Sequence, residues 1–200
     1  MSSFDSYFRQ FRTALRFLLT ATVVLGLGYP ATVWGVGQLA APAQANGSLV
    51  PVDGAPAASA LLAQSPQDGL GAAWFHPRPS AAKWDPAASG ASNLGPNDPA
   101  LATAMAAARA EVARLEGVPE SQVPSDAVTA SASGLDPQIS PAYADLQVPR
   151  IAQATGLSPD AIRTLIVART SSGLEALLGQ PSVNVTLLNL DLARLEAARK

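Results

Sequence analysis

The strongest pattern along the chain is an uninterrupted apolar run. From Phe17 to Ala41 no residue is charged, and the next charged side chain after Arg16 is Asp53. A helix that crosses a bilayer needs roughly 20 apolar residues, so residues 17–41 are expected to form a transmembrane helix preceded by a short N-terminus, residues 1–16. Gly26, Gly28 and Pro30 would weaken a helix in water. In a membrane, neighbouring helices can re-satisfy the backbone, and small residues permit close packing against another helix. Arg9, Arg12 and Arg16 precede the run, and no lysine or arginine follows it until Arg78. The positive-inside tendency then makes the N-terminus cytoplasmic and the rest of the chain extracytoplasmic. Ala43-Gln44-Ala45 has the small-x-small form of a signal peptidase site, so a cleaved signal peptide is the competing reading. The apolar core of such a signal is typically about 7–15 residues, and this longer run favours a retained anchor.

Beyond the anchor, hydrophobic positions are spaced for short elements. A segment rich in Ala, Pro, Ser and Gly extends to about Ser92 and reads as loop, with Ala72-Ala73-Trp74-Phe75 as its candidate strand. Asp98-Pro99, Ser140-Pro141 and Ser158-Pro159 share one signature, a capping side chain before a proline; each predicts a helix start. After the first, Leu101, Met105, Ala108, Val112 and Leu115 make one apolar stripe that Gly117 ends. The second helix contains Pro149, which must end or kink it unless the freed carbonyl finds another donor. The third carries Ile162, Leu165 and Ile166. Val128-Thr129-Ala130 is a candidate strand, and Val183, Val185 and Leu187 alternate with Asn184, Thr186 and Leu188 in a clearer one. The fold class expected is α/β: a single N-terminal transmembrane helix followed by one small mixed α/β extracytoplasmic domain.

Composition narrows the function classes. With 200 residues, a net charge of -2 and a pI near 5.3, the chain lacks the basic footprint of a nucleic-acid binder. No cysteine is present, which removes disulfides, thiolate nucleophiles and thiolate metal ligands together. Lysine occurs only at Lys83 and Lys200, and the other basic residues are all arginine, a bias that reads as a GC-rich bacterial genome.

Catalytic signals are thin. His76 is the only imidazole, so no nitrogen–sulfur metal site can assemble, and no metal is expected. No G-x-S-x-G elbow, phosphate-binding G-x-x-x-x-G-K-[ST] or dinucleotide G-x-G-x-x-G occurs. A membrane-anchored hydrolase built from His76 and a clustered serine is the alternative carried forward. Ser89 to Pro99 and Thr129 to Pro141 are dense in turn-forming residues, which on physical grounds make tight turns and caps.

Those same clusters carry a family resemblance. Asn46-Gly47-Ser48-Leu49, Arg78-Pro79-Ser80-Ala81, Ser92-Asn93-Leu94-Gly95-Pro96, Thr129-Ala130-Ser131 with Ser133-Gly134-Leu135-Asp136-Pro137 and Ile139-Ser140-Pro141, Gln147 with Pro149-Arg150, and Asn184-Val185 with Leu188-Asn189-Leu190 follow one another in order. Together they resemble the KdpC family, the C chain of the potassium-transporting ATPase, over the chain from its anchor to about Leu192. Pro77 departs from the usual glycine, and Gln180-Pro181-Ser182 from a usual acidic-Pro-Arg pattern.

The resemblance implies a KdpC-like soluble domain over 42–192, a tail over 193–200, and a single-pass protein of the bacterial cytoplasmic (inner) membrane. It implies an accessory, non-catalytic subunit of the high-affinity, ATP-driven potassium uptake complex. The partners implied are a KdpA-like potassium-binding subunit, a KdpB-like P-type ATPase subunit and a small single-span KdpF-like subunit. The family is described as a catalytic chaperone that raises the ATP affinity of the ATPase subunit, and Gln147 is the residue to which nucleotide contact carries over; an ordinary helix-surface amide is the plainer reading. The arginines before the anchor oppose direct ATP handling, because they place the domain away from cytoplasmic ATP. An extracytoplasmic cap on the potassium-conducting subunit, without nucleotide contact, is the alternative.

Overall fold

The computed structural model describes residues 3–52, 55–64, 71–173 and 179–199. Two compact units, Met1–Ser48 and Leu49–Lys200, are taken in turn.

The first unit is a long helix. α1 (Ser3–Ala21) passes through a π-helical segment, Thr22–Gly28, into α2 (Tyr29–Ala40), and a four-residue turn, α3 (Pro42–Ala45), follows. The π segment precedes Pro30, whose ring would clash with the carbonyl one turn back; widening that turn relieves the clash. Residues Asp5–Ala40 give a 36-residue helix long and apolar enough to cross a membrane. Leu18, Val24, Leu27, Val33 and Trp34 on it are exposed.

The second unit is a mixed helix and strand domain in which helices carry most of the core. Among the described residues its strands form two separate antiparallel ribbons: β1 (Leu49–Val52) with β2 (Ala55–Ser59), and β3 (Gln138–Ile139) with β4 (Val183–Asn184). β1 and β2 pair from Leu49 opposite Ser59 to Val52 opposite Ala55, with a bulge at Val50/Pro51. Its α-helices among the described residues are α4 (Pro99–Glu116), α5 (Pro141–Thr155), α6 (Pro159–Arg169) and α7 (Val185–Ala197). Phe75, Val148, Ile151, Ile162, Leu188 and Leu192 are fully buried at the centre.

The three helix starts fall where their capping residues stand. Asp98 accepts from the Ala100 N–H, Ser140 from Tyr143 and Ser158 from Ala161, each satisfying a backbone donor that the first turn leaves open. Gly117 ends α4 at φ +67°. Pro149 does not break α5, which continues to Thr155. It lies on the exposed side beside exposed Asp145, where water can reach the freed carbonyl, while Val148 and Arg150 on either side are buried.

Three strand expectations are corrected. Residues 72–75 form a turn running into extended chain without a backbone partner; Phe75 instead bonds the Asn189 side chain. Val128 closes the 3₁₀ turn Ser125–Ala127 and is buried there. The alternation at 183–188 yields only two strand residues before Asn184 caps α7 by accepting from the Leu187 N–H. Val185, Leu188 and Leu192 then bury at helical spacing, so a six-residue alternation was outweighed by one cap and a longer 3.6-residue period.

Candidate functional site

α5 carries Tyr143, Gln147, Arg150 and Ile151 inward, positions that share one helix face at spacings of three and four. Its start is fixed from outside the helix: Asp126 accepts from both the backbone N–H (2.7 Å) and the hydroxyl (2.9 Å) of Ser140. That bond sets the rotation with which the face meets the core.

Gln147 is completely buried. Its Oε1 accepts from the His76 N–H at 2.7 Å and from Arg150 Nη2 at 2.7 Å, and its Nε2 donates to the His76 carbonyl at 3.2 Å. Asn189, on α7, does the same for the adjacent Phe75, accepting from its N–H at 2.8 Å and donating to its carbonyl at 2.9 Å. Two side-chain amides thus stand in for the missing strand partner of an extended segment.

Arg150 completes the frame. Its Nη1 donates to the carbonyls of Ala72 (2.6 Å) and Trp74 (2.9 Å), and its Nε approaches both oxygens of Glu116 at 3.0 and 3.1 Å. The Glu116 side chain is 1% exposed and that of Arg150 8%. Burial pushes the Glu116 carboxyl above its usual range, with the Arg150 guanidinium opposing. Burial likewise raises the Tyr143 phenol, helped by the negative charge of Glu116.

A second frame joins the two turn-rich clusters. Ser80 Oγ donates to the Gly134 carbonyl at 2.6 Å, and the Gly90 N–H and Ser89 hydroxyl both donate to the Ser133 carbonyl at 2.9 Å. Gly134 has φ +71°, and a Cβ there would lie 2.6 Å from the Gly90 carbonyl oxygen, so only glycine allows this approach. The Ser131 hydroxyl, 2% exposed as a residue, accepts from the N–H groups of Gly134 and Asp136. Arg78 pairs with Asp136 at 3.2 Å and donates to the Thr129 carbonyl. Arg78 and Asp136 line an open cleft with Leu61 and residues 130–133 and 137.

These contacts hold residues 72–80 in place. His76 is gripped through its peptide, while its ring Nε2 lies 3.3 Å from the Gly71 carbonyl. The Ser131 and Ser133 hydroxyls bond each other and turn N–H groups. Among the described residues no three His, Asp or Glu gather as a metal site. Buried side-chain polar atoms without a partner are likewise absent among the described residues. Gln147 is therefore no surface amide, and both ends of its amide group have partners.

The motif strings largely meet here: Arg78, Ser80, Ser131, Ser133, Gly134 and Asp136 in one frame, Gln147, Arg150 and Asn189 in the other. Asn46 belongs instead to the first unit, bonding the Gln38 side chain and the Pro42 carbonyl. Ser92–Pro96 lead into the Pro96–Asn97 turn, in which the Asp98 N–H donates to the Gly95 carbonyl just before the α4 start, with Asn93 at φ +55°. Glu116 escaped sequence reading. Its signal is an acid in the last turn of α4, the end where the helix dipole disfavours negative charge; such a residue invites the search for a specific cation.

A family model described as KdpC, K+-transporting ATPase, c chain, matches residues 11–194. The potassium-transporting ATPase KdpC subunit of Kineococcus radiotolerans is 49% identical over 186 residues, covering 92% of this chain and 93% of that protein. The subunit of the same name from Bradyrhizobium diazoefficiens is 41% identical over 204 residues, covering 94% and 98%. That of Acidobacterium capsulatum is 45% identical over 186 residues, covering 92% and 97%.

Proposed function

The chain belongs to the KdpC family, and from that premise we propose that it is a membrane-anchored, non-catalytic accessory subunit whose outer domain stabilises the Kdp potassium pump without touching ATP. The long apolar helix is the anchor of a single-pass protein of the bacterial cytoplasmic membrane. The domain caps the outer side of the potassium-conducting, KdpA-like subunit, within a complex whose KdpB-like subunit hydrolyses ATP and whose KdpF-like subunit adds a single span.

The observation that carries this reading is the state of Gln147. Its amide is sealed from solvent and its bonds go to His76 and Arg150. A nucleotide would have to break a buried network whose members support one another. Arg9, Arg12 and Arg16 before the anchor add a topological reason, since they favour a cytoplasmic N-terminus.

The test is the purified pump carrying Gln147→Ala, assayed for subunit recovery and for the dependence of potassium-stimulated ATPase on ATP. Loss of this chain from the complex, with an unchanged KM for ATP in the complexes that remain, is the expected result. A fully assembled pump with a KM for ATP raised tenfold would overturn the reading and favour nucleotide contact by Gln147, the catalytic-chaperone role.

A further inference from the structure

The N-terminal helix is longer than its membrane task. Thirty-six residues rise roughly 54 Å at 1.5 Å each, against a hydrocarbon core of about 30 Å. The apolar run begins only at Phe17, so the excess lies mostly in the turns before it, and those turns are sharply two-faced. At roughly 100° per residue, Tyr7, Phe8, Phe11, Leu15 and Leu18 fall within one arc of about 100°, while Arg9, Arg12, Arg16 and Asp5 share an arc of about 60° on another side. The five apolar side chains are all exposed, and so are the three arginines.

We propose that residues 5–16, continuous with the apolar run in α1, bend away from it at the bilayer surface and form an interfacial helix that engages an anionic lipid surface. Tyr7, Phe8, Phe11 and Leu15 enter the boundary between headgroups and acyl chains, and Arg9, Arg12 and Arg16 meet lipid phosphates. The inference rests on the reading of residues 17–41 as a spanning anchor, which tethers this segment at the bilayer surface. A high amphipathicity with aromatic residues on one face and arginines on the other is the composition that lies in such an interface. Charge complementarity selects the occupant: three arginines against a single acid favour an anionic surface over a neutral protein groove, and guanidinium groups bind phosphate oxygens in a two-pronged geometry. Each basic residue near an anionic leaflet strengthens association about five-fold.

The absence of cysteine makes the test clean. The full chain carrying Phe8→Cys with a bimane label is placed in nanodiscs of phosphatidylcholine and phosphatidylglycerol, one lipid or the other bearing bromine on its acyl chain. A second chain, labelled through Val33→Cys, reports on the anchor. Quenching at position 8 is expected to be about two-fold or more stronger from brominated phosphatidylglycerol at low salt. High salt, or joint substitution of Arg9, Arg12 and Arg16 by glutamine, abolishes that preference, and joint substitution by lysine keeps it. Because nanodiscs present both faces, altered insertion direction cannot mimic the effect.

Equal quenching by both lipids at position 8, or none, overturns the proposal while strong quenching at position 33 leaves the anchor intact. No quenching at either position removes the anchor reading itself. Repeating the measurement on the assembled pump separates a lipid from a protein occupant: shielding of position 8 from both lipids there would assign this face to another subunit.

Discussion

Replacing Gln147 by alanine strips the peptide of His76 of both its bonds and takes an acceptor from Arg150. Leaving such groups unpartnered in a buried site costs about 1–3 kcal/mol each, so the domain is expected to lose about 3–5 kcal/mol, read from urea unfolding of the full chain in detergent. Asp191 offers a test by pH. The Arg169 guanidinium, bonded to it, holds its carboxyl below the ordinary value, with Arg194 contributing. A group whose folded pKa is depressed adds stability above its unfolded pKa and loses it as pH falls through the folded one. Asp191→Asn is therefore expected to lower the urea midpoint at pH 7, by a deficit that shrinks as pH falls below the ordinary carboxylate range; a deficit independent of pH would exclude the ion pair as its source. Residue identities did not point to the Gln147 network in full, because Gln147 read plainly as an ordinary helix-surface amide until burial placed it against the His76 peptide, and nothing local marked Asn189 as the partner of Phe75.

Among the elements, the helices that begin at Pro99, Pro141 and Pro159 were legible, whereas α7 and most of the strand structure were not. A cap and a stop are local chemistry: Asp98, Ser140, Ser158 and Gly117 act within one turn of their own position. Strand character needs a partner, and at residues 72–76 the partner is a pair of side chains from α5 and α7. The docking of the two turn clusters is testable in the same way. At Gly134 an added Cβ meets backbone at 2.6 Å with φ +71°, whereas Gly117 has a similar φ of +67° and open space. Gly134→Ala is expected to cost about 2–4 kcal/mol by strain and collision, and Gly117→Ala about 1 kcal/mol by backbone conformation alone. Equal losses in thermal unfolding would mean that the contact with Gly90 contributes nothing.

For the whole molecule, the division into a long apolar helix and a domain, with the helix proposed as an anchor, makes topology the decisive property. A single Ser121→Cys, at an exposed position of the domain, is expected to react in intact, outer-membrane-permeabilised cells with a maleimide that cannot cross the inner membrane. Labelling only after the inner membrane is broken would place the domain in the cytoplasm and return it to the side of ATP.

The sequence by itself determined the apolar helix, the capped helix starts and the family, a resemblance that the match over residues 11–194 bears out. Those features depend on neighbours within a turn or on order along the chain. Tertiary structure alone decided that Glu116, Gln147, Arg150 and Asn189, spread over more than seventy residues of sequence, surround one extended segment. The helix after Val183 has a local share, the Asn184 cap, and a tertiary one, the burial of Val185, Leu188 and Leu192 in the core that holds Ile151 and Ile162. Side-chain amides carry the same donor and acceptor as a peptide, and whether they cap, face water or replace a strand depends only on what folding brings within about 3 Å.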